Sequence, residues 1–187
     1  MTPSSTRSAS PKGTYVIHLR LRKERVVVVQ RRIRGTWRAK RTYVLAAGDY
    51  LYVGSAHGAG GLPSRVGRHL ATTKPKQWDL DFLVSGSSHE LTMNAWGMLS
   101  SRGTECRWAS MVHAAAGTFP VLGTKGDSPR RIHGFGAGDC HRRCGCTDND
   151  PASSRTHLFR VAWKPTLLRM REILGSELKD LRKQYDL

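Results

Sequence analysis

The sequence predicts an α/β protein: a small, mainly antiparallel central sheet flanked by helices, with one further helix appended at the C-terminus. Three observations carry this expectation. Segments in the first third alternate apolar and polar residues with period two and are joined by short links, the signature of a strand meander. A glycine-rich run is followed by helical spacing. The last 20 or so residues place their leucines on one helical face.

Residues 1–12 are rich in Ser, Thr and Pro and are expected to form a disordered tail. Gly13 to Leu21 alternates, with Tyr15, Ile17, Leu19 and Leu21 on one face and His18 and Arg20 on the other, which predicts a half-buried strand. Arg25 to Ile33 is rich in β-branched residues and predicts a second. Gly35 and the basic stretch Arg38 to Arg41 are expected to be an exposed connection. Asp49 to Gly54, with Tyr50 and Tyr52, predicts a third short strand. Glycines 54, 58, 60 and 61 make the next run a loop. Pro63 suits the first turn of a helix, so Pro63 to Ala71 is expected to be helical, with Arg65 and His69 four apart on one face. The alternation Trp78, Leu80, Phe82, Val84 predicts a strand, and Glu90 to Leu99 either a strand or a short irregular helix. Thr104 is a candidate cap for a helix beginning at Glu105. Residues 117–138 look like loop, and His157 to Trp163 like a last strand. Pro165 and Thr166 open an amphipathic helix expected to run to Gln184. The domain division is therefore 1–12, 13–163 and 164–187, with no internal repeat.

Charge narrows the function. Lys and Arg number 31 against 14 acids, a formal charge of +17. Such an excess suits a polyanion, because each phosphate neutralised releases condensed counterions. Nucleic acid is the expected partner, with no membrane and the oligomeric state left open. The chain holds no apolar run of about 18 residues and no signal-like segment, so the expected place is the cytoplasm, associated with the nucleoid. The basic flanks contain few aromatics, which suits phosphate contact rather than base stacking. Of four cysteines, Cys140, Cys144 and Cys146 fall within seven residues. With His157 they make a candidate structural zinc site; free thiols or one redox-sensitive pair are the alternatives. Cys106 is expected in the core.

Gly13-Thr14-Tyr15 on the first strand and Tyr52-Val53-Gly54 on the third resemble the two halves of the GIY-YIG signature. Leu62-Pro63-Ser64-Arg65 and His69 are similar to that superfamily's helix, and Glu105 stands where it places a metal-binding glutamate. The strings Gly-Asp-Tyr-Leu-Tyr-Val-Gly-Ser-Ala (48–56), Glu-Cys-Arg-Trp-Ala (105–109), Gly-Phe-Gly-Ala-Gly-Asp-Cys (134–140) and His-Leu-Phe (157–159) resemble one prokaryotic branch. That branch often carries histidines where this chain has Gln77 and Asp79.

The resemblance implies a divalent-metal-dependent endonuclease acting in repair, recombination or defence. Glu105 would hold Mg²⁺ or Mn²⁺, which needs few protein ligands because it keeps most of its waters. Arg65 would bind the scissile phosphate with a permanently charged fork. Tyr15 and Tyr52 would position or deprotonate the attacking water. A free phenol titrates near pH ~10, so His69 is the candidate to take the proton onward; the identity of the base stays open. Ser55 and His57 in the glycine-rich loop, and Arg68 on the helix, are candidate nucleic-acid contacts. The competing expectations are a non-catalytic nucleic-acid-binding protein that keeps the fold, or a zinc-stabilised RNA-associated factor.

Overall fold

A computed structural model of the chain describes residues 10–33, 36–71, 73–85, 91–123, 134–136 and 156–187. The predicted fold class holds. The strands are β1 (Gly13–Leu21), β2 (Arg25–Ile33), β3 (Thr36–Leu45), β4 (Gly48–Ala56), β5 (Leu91–Leu99), β6 (Thr118–Pro120), β7 (Leu158–Val161) and β8 (Lys179–Asp180). The helices are α1 (Gly61–Leu70), α2 (Asp79–Val84), α3 (Thr104–Ala114), α4 (Leu167–Leu174) and α5 (Leu181–Tyr185). Six strands form one antiparallel sheet in the order β6-β7-β4-β1-β5-β8, while β2 and β3 form a separate two-stranded ribbon. No helix among the described residues is long and apolar enough to cross a membrane.

Period-two alternation along β1 and β4 divides the core into two layers. On one face Tyr15, Ile17 and Leu19 pack with Tyr50, Tyr52 and Ala56, with Leu62 and Val66 of α1, and with Leu80 and Leu83 of α2. On the other, Val16, Leu51 and Val53 pack with Trp108, Ala109 and Val112 of α3 and Met170 and Leu174 of α4. β1 lies between β4 and β5, and Tyr15 pairs with Gly54 across the first of these.

Several expectations are corrected. The basic stretch after Gly35 is not a connection: Thr36–Leu45 is a full strand pairing β2 from Arg25↔Leu45 to Ile33↔Thr36, with a register shift at Val29/Gln30. Trp78 to Val84 is not a strand. Asp81 sits in the first turn of α2 and its Oδ2 accepts from the backbone N–H of Gln77 (2.9 Å) and Trp78 (3.0 Å), which ties down the orphan donors of a helix start. Of the stretch expected to be a strand or a short helix, Leu91–Leu99 is a strand, β5. Thr104 does not cap α3, whose cap is Gly103 at φ 92°. The expected long C-terminal helix breaks at Gly175 (φ 120°) into α4, the short β8 and α5. Pro11 and Lys12, read as the end of the tail, hydrogen-bond to the body: Leu62 N–H donates to Pro11 O (2.7 Å) and Ser100 N–H to Lys12 O (3.3 Å).

A candidate active site at the open end of β4

The C-terminal end of β4 gathers most of the predicted residues. β7 pairs only with Asp49 to Tyr52, so Gly54, Ser55 and Ala56 extend past it. Consecutive residues of a strand point to opposite faces, and two polar constellations sit on the two sides of this short segment.

The first is on the α1/α2 face. Tyr15 is 2% exposed and its hydroxyl lies 2.9 Å from His69 Nε2. Gly54 makes room for it: a Cβ there would collide with the Tyr15 hydroxyl and ring. His69 Nδ1 faces Asp81 Oδ1 at 3.4 Å, long for a hydrogen bond. That arrangement favours a proton on Nδ1 and leaves Nε2 to accept from Tyr15. The Tyr52 ring meets His69 edge-on, with centroids 6.1 Å apart. Burial lowers the His69 pKa; Asp81 opposes this, and Lys74 and Arg65 add to it. His69 is therefore neutral at pH 7. Asp81 is fully buried. Burial pushes its carboxyl up, but His69, the Trp78 and Gln77 N–H groups and Arg68 outweigh that and hold it well below the usual carboxylate range. Lys74 donates to the carbonyls of Arg68 and His69 (both 2.8 Å), closing the C-terminal turn of α1. Burial draws its pKa down to about 8 against the pull of Asp81.

Beside this relay, Ala56, Gly58, Ser64, Arg65, Arg68, Gln77 and Trp78 line a cleft of about 150 Å³. The Arg65 guanidinium lies 4.2 Å over the Trp78 ring, an attraction that fixes the group without using its N–H donors. Among the described residues no carboxylate pairs with it. Arg68 is differently engaged: its Nη2 donates to Pro75 O (2.6 Å) and to Asp81 Oδ2 (3.0 Å). Its charge is spent largely within the fold rather than offered to a ligand. His57 is half-buried, and its Nε2 finds no hydrogen-bond partner among the described residues.

The second constellation is on the α3 face. Ser55 Oγ donates to Glu105 Oε2 (2.5 Å), and His157 Nδ1 donates to Glu105 Oε1 (3.0 Å). Burial disfavours charge on His157, yet contacts with Cys106 and Glu105 outweigh it and raise its pKa to about 9. Gly136 joins the two constellations: a Cβ there would lie 3.2 Å from His157 Cβ and 3.3 Å from Tyr52 Cε2.

Tyr15, Tyr52, His69 and Arg65 thus share the α1/α2 face, but of these only Arg65 lines the cleft, and the two tyrosines and His69 are buried. Glu105 and Ser55 lie across β4, and His157 joins them, in contact with Cys106 as well. Cys140, Cys144 and Cys146 lie outside the described residues. Cys106 is buried and free of any disulfide, as expected of a core residue. Asp81 and Lys74 are the neighbours of the candidate site that sequence reasoning missed. The signal for Asp81 was available: an acid three residues after Trp78 fits a helix start as well as a strand.

Glu105 can be tested against a divalent ion. Its side chain is 13% exposed, and a carboxylate offers roughly four lone-pair sites, of which two are occupied here. The remaining oxygen sites suit a hard ion that keeps its waters, with Ser55 and His157 orienting the carboxylate. No group of three or more His, Cys, Asp or Glu that could hold a metal occurs among the described residues.

The family model described as "Domain of unknown function DUF123" matches residues 14–178. The chain belongs to the DUF123 family. The DUF123 match spans both constellations, from Tyr15 to His157, and extends through α4, while β8 and α5 follow the matched residues. No curated protein and no solved structure matches this DUF123 chain.

Proposed function

We propose that the chain is a GIY-YIG-type endonuclease that hydrolyses nucleic-acid phosphodiester bonds with one divalent ion, on DNA in preference to RNA, in repair, recombination or defence and close to the nucleoid. The single observation that carries this reading is the buried Tyr15–His69 pair (2.9 Å) beside the Arg65 cleft. A phenol alone is a poor base near neutral pH. A phenol whose proton can pass to a neutral imidazole is a competent one.

In this reading Arg65 takes the non-bridging oxygens of the scissile phosphate. Its position over Trp78 leaves its fork free for two of them. Tyr15 O accepts a proton from the attacking water as the Tyr15 proton moves to His69 Nε2. The new phosphorus–oxygen bond forms from that water while the bond to the leaving oxygen breaks. Asp81 stabilises the imidazolium that results, as a buried carboxylate does for a histidine base. Tyr52 packs against His69 and holds the ring in place. Mg²⁺ or Mn²⁺ held by Glu105 would act as a Lewis acid on the phosphoryl and leaving oxygens.

One observation favours the non-catalytic alternative. Both Glu105 oxygens are engaged, and His157 supplies a compensating positive charge. Plasmid nicking separates the two readings. Cleavage with Mg²⁺ or Mn²⁺, abolished by EDTA and by Glu105→Ala and Arg65→Ala, is expected. Full activity in both variants refutes the site. Binding without cleavage on every DNA and RNA substrate supports the non-catalytic reading.

A further inference from the structure

The sheet end that holds the candidate site also holds cations that the site does not use. Gly13 pairs with Ala56 on one side and with Leu99 on the other, so the start of β1 and the ends of β4 and β5 lie level. Two strand spacings of ~4.8 Å, about 10 Å in all, separate β4 from β5 there. Lys12 stands at the middle of this end. Its neighbour Pro11 accepts from Leu62 N–H (2.7 Å) at the start of α1, and Lys12 O accepts from Ser100 N–H (3.3 Å) just past β5. The Thr14 and Ser100 hydroxyls, 2.8 Å apart, tie the same seam. The Lys12 backbone is thus clamped between α1 and β5 while the residue stays exposed. Arg102 is exposed too, two residues past Ser100, in the turn that leads to Glu105. The space beside it is open, for a Cβ on Gly103 would meet nothing within 4 Å. Among the described residues no carboxylate pairs with Lys12 or Arg102. Asp49, which pairs with His18 and Arg20, lies at the opposite end of the sheet. The Arg65 cleft is on the α1 side of β4 and Glu105 on the α3 side, so a strand that engages both has to pass round the end where Lys12 and Arg102 stand.

We propose that this sheet end is a phosphate track. Lys12 and Arg102 hold the sugar–phosphate backbone of one DNA strand as it passes from the Arg65 cleft, over the ends of β4, β1 and β5, to the start of α3. A width of about 10 Å takes roughly three nucleotides at the ~3.4 Å rise of one strand. Two cations without carboxylate partners give up no ion pair when they meet phosphates, and the counterions they release from the strand favour the contact. The contacts are to phosphate and carry no base preference. Lys12 reaches this role only because its main chain is fixed, since a lysine on a loose tail would lose its conformational freedom on binding. The proposal rests on the nuclease reading for its choice of partner, and its test is kept independent of cleavage.

The test is equilibrium binding of a short fluorescent single-stranded DNA in EDTA over a salt series. Lys12→Gln/Arg102→Gln is compared with Arg22→Gln/Lys164→Gln. The second pair removes the same charge from exposed positions at the opposite end of the sheet, where Leu21 pairs with Gly48 and Val161 with Asp49. The track double is expected to weaken binding at least ~10-fold at low salt and to lower the slope of log Kd against log salt by about 1.4, since each phosphate contact on a single strand contributes roughly 0.7. The control double should change affinity less than ~3-fold and leave the slope within about 0.3 of wild type. Thermal unfolding checks that both doubles are folded, and the single variants Lys12→Gln and Arg102→Gln should each lower the slope by about half as much. Equal losses in the two doubles, or an unchanged slope in the track double, overturn the track. Wild type that binds through the track but never cuts with Mg²⁺ or Mn²⁺ leaves the track standing and sinks the nuclease. Cutting, with wild-type affinity, in the track double does the reverse.

Discussion

Replacing Asp81 by alanine tests how the Tyr15–His69 pair is held. The carboxylate is fully buried. It accepts from Gln77 N–H and Trp78 N–H, pairs with Arg68 at 3.0 Å, and faces His69 and Lys74 at 3.4 and 3.6 Å. Removing one partner of a buried ion pair costs about 3–5 kcal/mol. The Arg68 side chain is 27% exposed and can turn to water, while Lys74 is only 4% exposed and cannot. The lower end applies, so Asp81→Ala is expected to lose about 3 kcal/mol at pH 7, a Tm drop of roughly 6–12 °C for a chain of this size. The pH dependence has a definite sign. The folded Asp81 pKa lies below its unfolded value, so its stabilisation is present above pH ~4 and is lost as pH falls towards the folded pKa. The gap between wild type and variant should therefore be flat from pH 7 to 5 and then narrow by about 1.4 kcal/mol per pH unit below pH 4. Urea unfolding followed by tryptophan fluorescence at pH 7, 5 and 3 measures both quantities. A loss under ~1 kcal/mol, or a gap as wide at pH 3 as at pH 7, would refute the view that Asp81 is the charged anchor of this corner.

His157 should show the opposite profile. Its folded pKa of about 9 exceeds the ordinary 6.5, so its pairing stabilises fully below pH ~6.5 and is lost as pH rises through 9. His157→Gln is expected to cost about 3 kcal/mol at pH 6 and far less at pH 10, read by the same urea titration; a pH-independent cost contradicts the assignment. Gly54→Ala puts a methyl into the Tyr15 hydroxyl, so it should cost about 1–3 kcal/mol and displace the ring from His69. In the nicking assay its rate should fall about 100-fold, as should that of Tyr15→Phe. Wild-type rates in both would remove Tyr15 from the proton path.

Much of the fold was legible because β1 and β4 alternate between two packing layers and β2 between a buried and an exposed face, and because Gly60 and Gly61 mark the start of α1 at positive φ. What failed did so for local reasons. In Trp78-Asp79-Leu80-Asp81-Phe82 the apolar residues alternate as in a strand, yet the Asp81 carboxylate binds the backbone behind it and closes a helical turn. β3 was hidden because dense Arg and Lys look like a solvated link, whereas its partner strand supplies the ladder. The apolar stripe from Leu167 to Leu181 continues unbroken in sequence, but Gly175 at φ 120° ends α4, so Leu178 and Leu181 reach the core from separate elements. In the site, spacing put Arg65 and His69 on one helical face, and only the resemblance grouped Tyr15 with them. Asp81 and the Glu105–His157 pair needed tertiary contacts that no spacing encodes.

The sheet acts as a partition through the middle of this corner. The relay is moored to one hydrophobic layer and Glu105 to the other. Loosening of the α3–α4 layer would unmoor the acid while Tyr15, His69 and Asp81 kept their registry. Amide exchange that runs faster in that layer than in α1 would mark such a sub-global opening as the cheapest way to disarm the molecule without unfolding it.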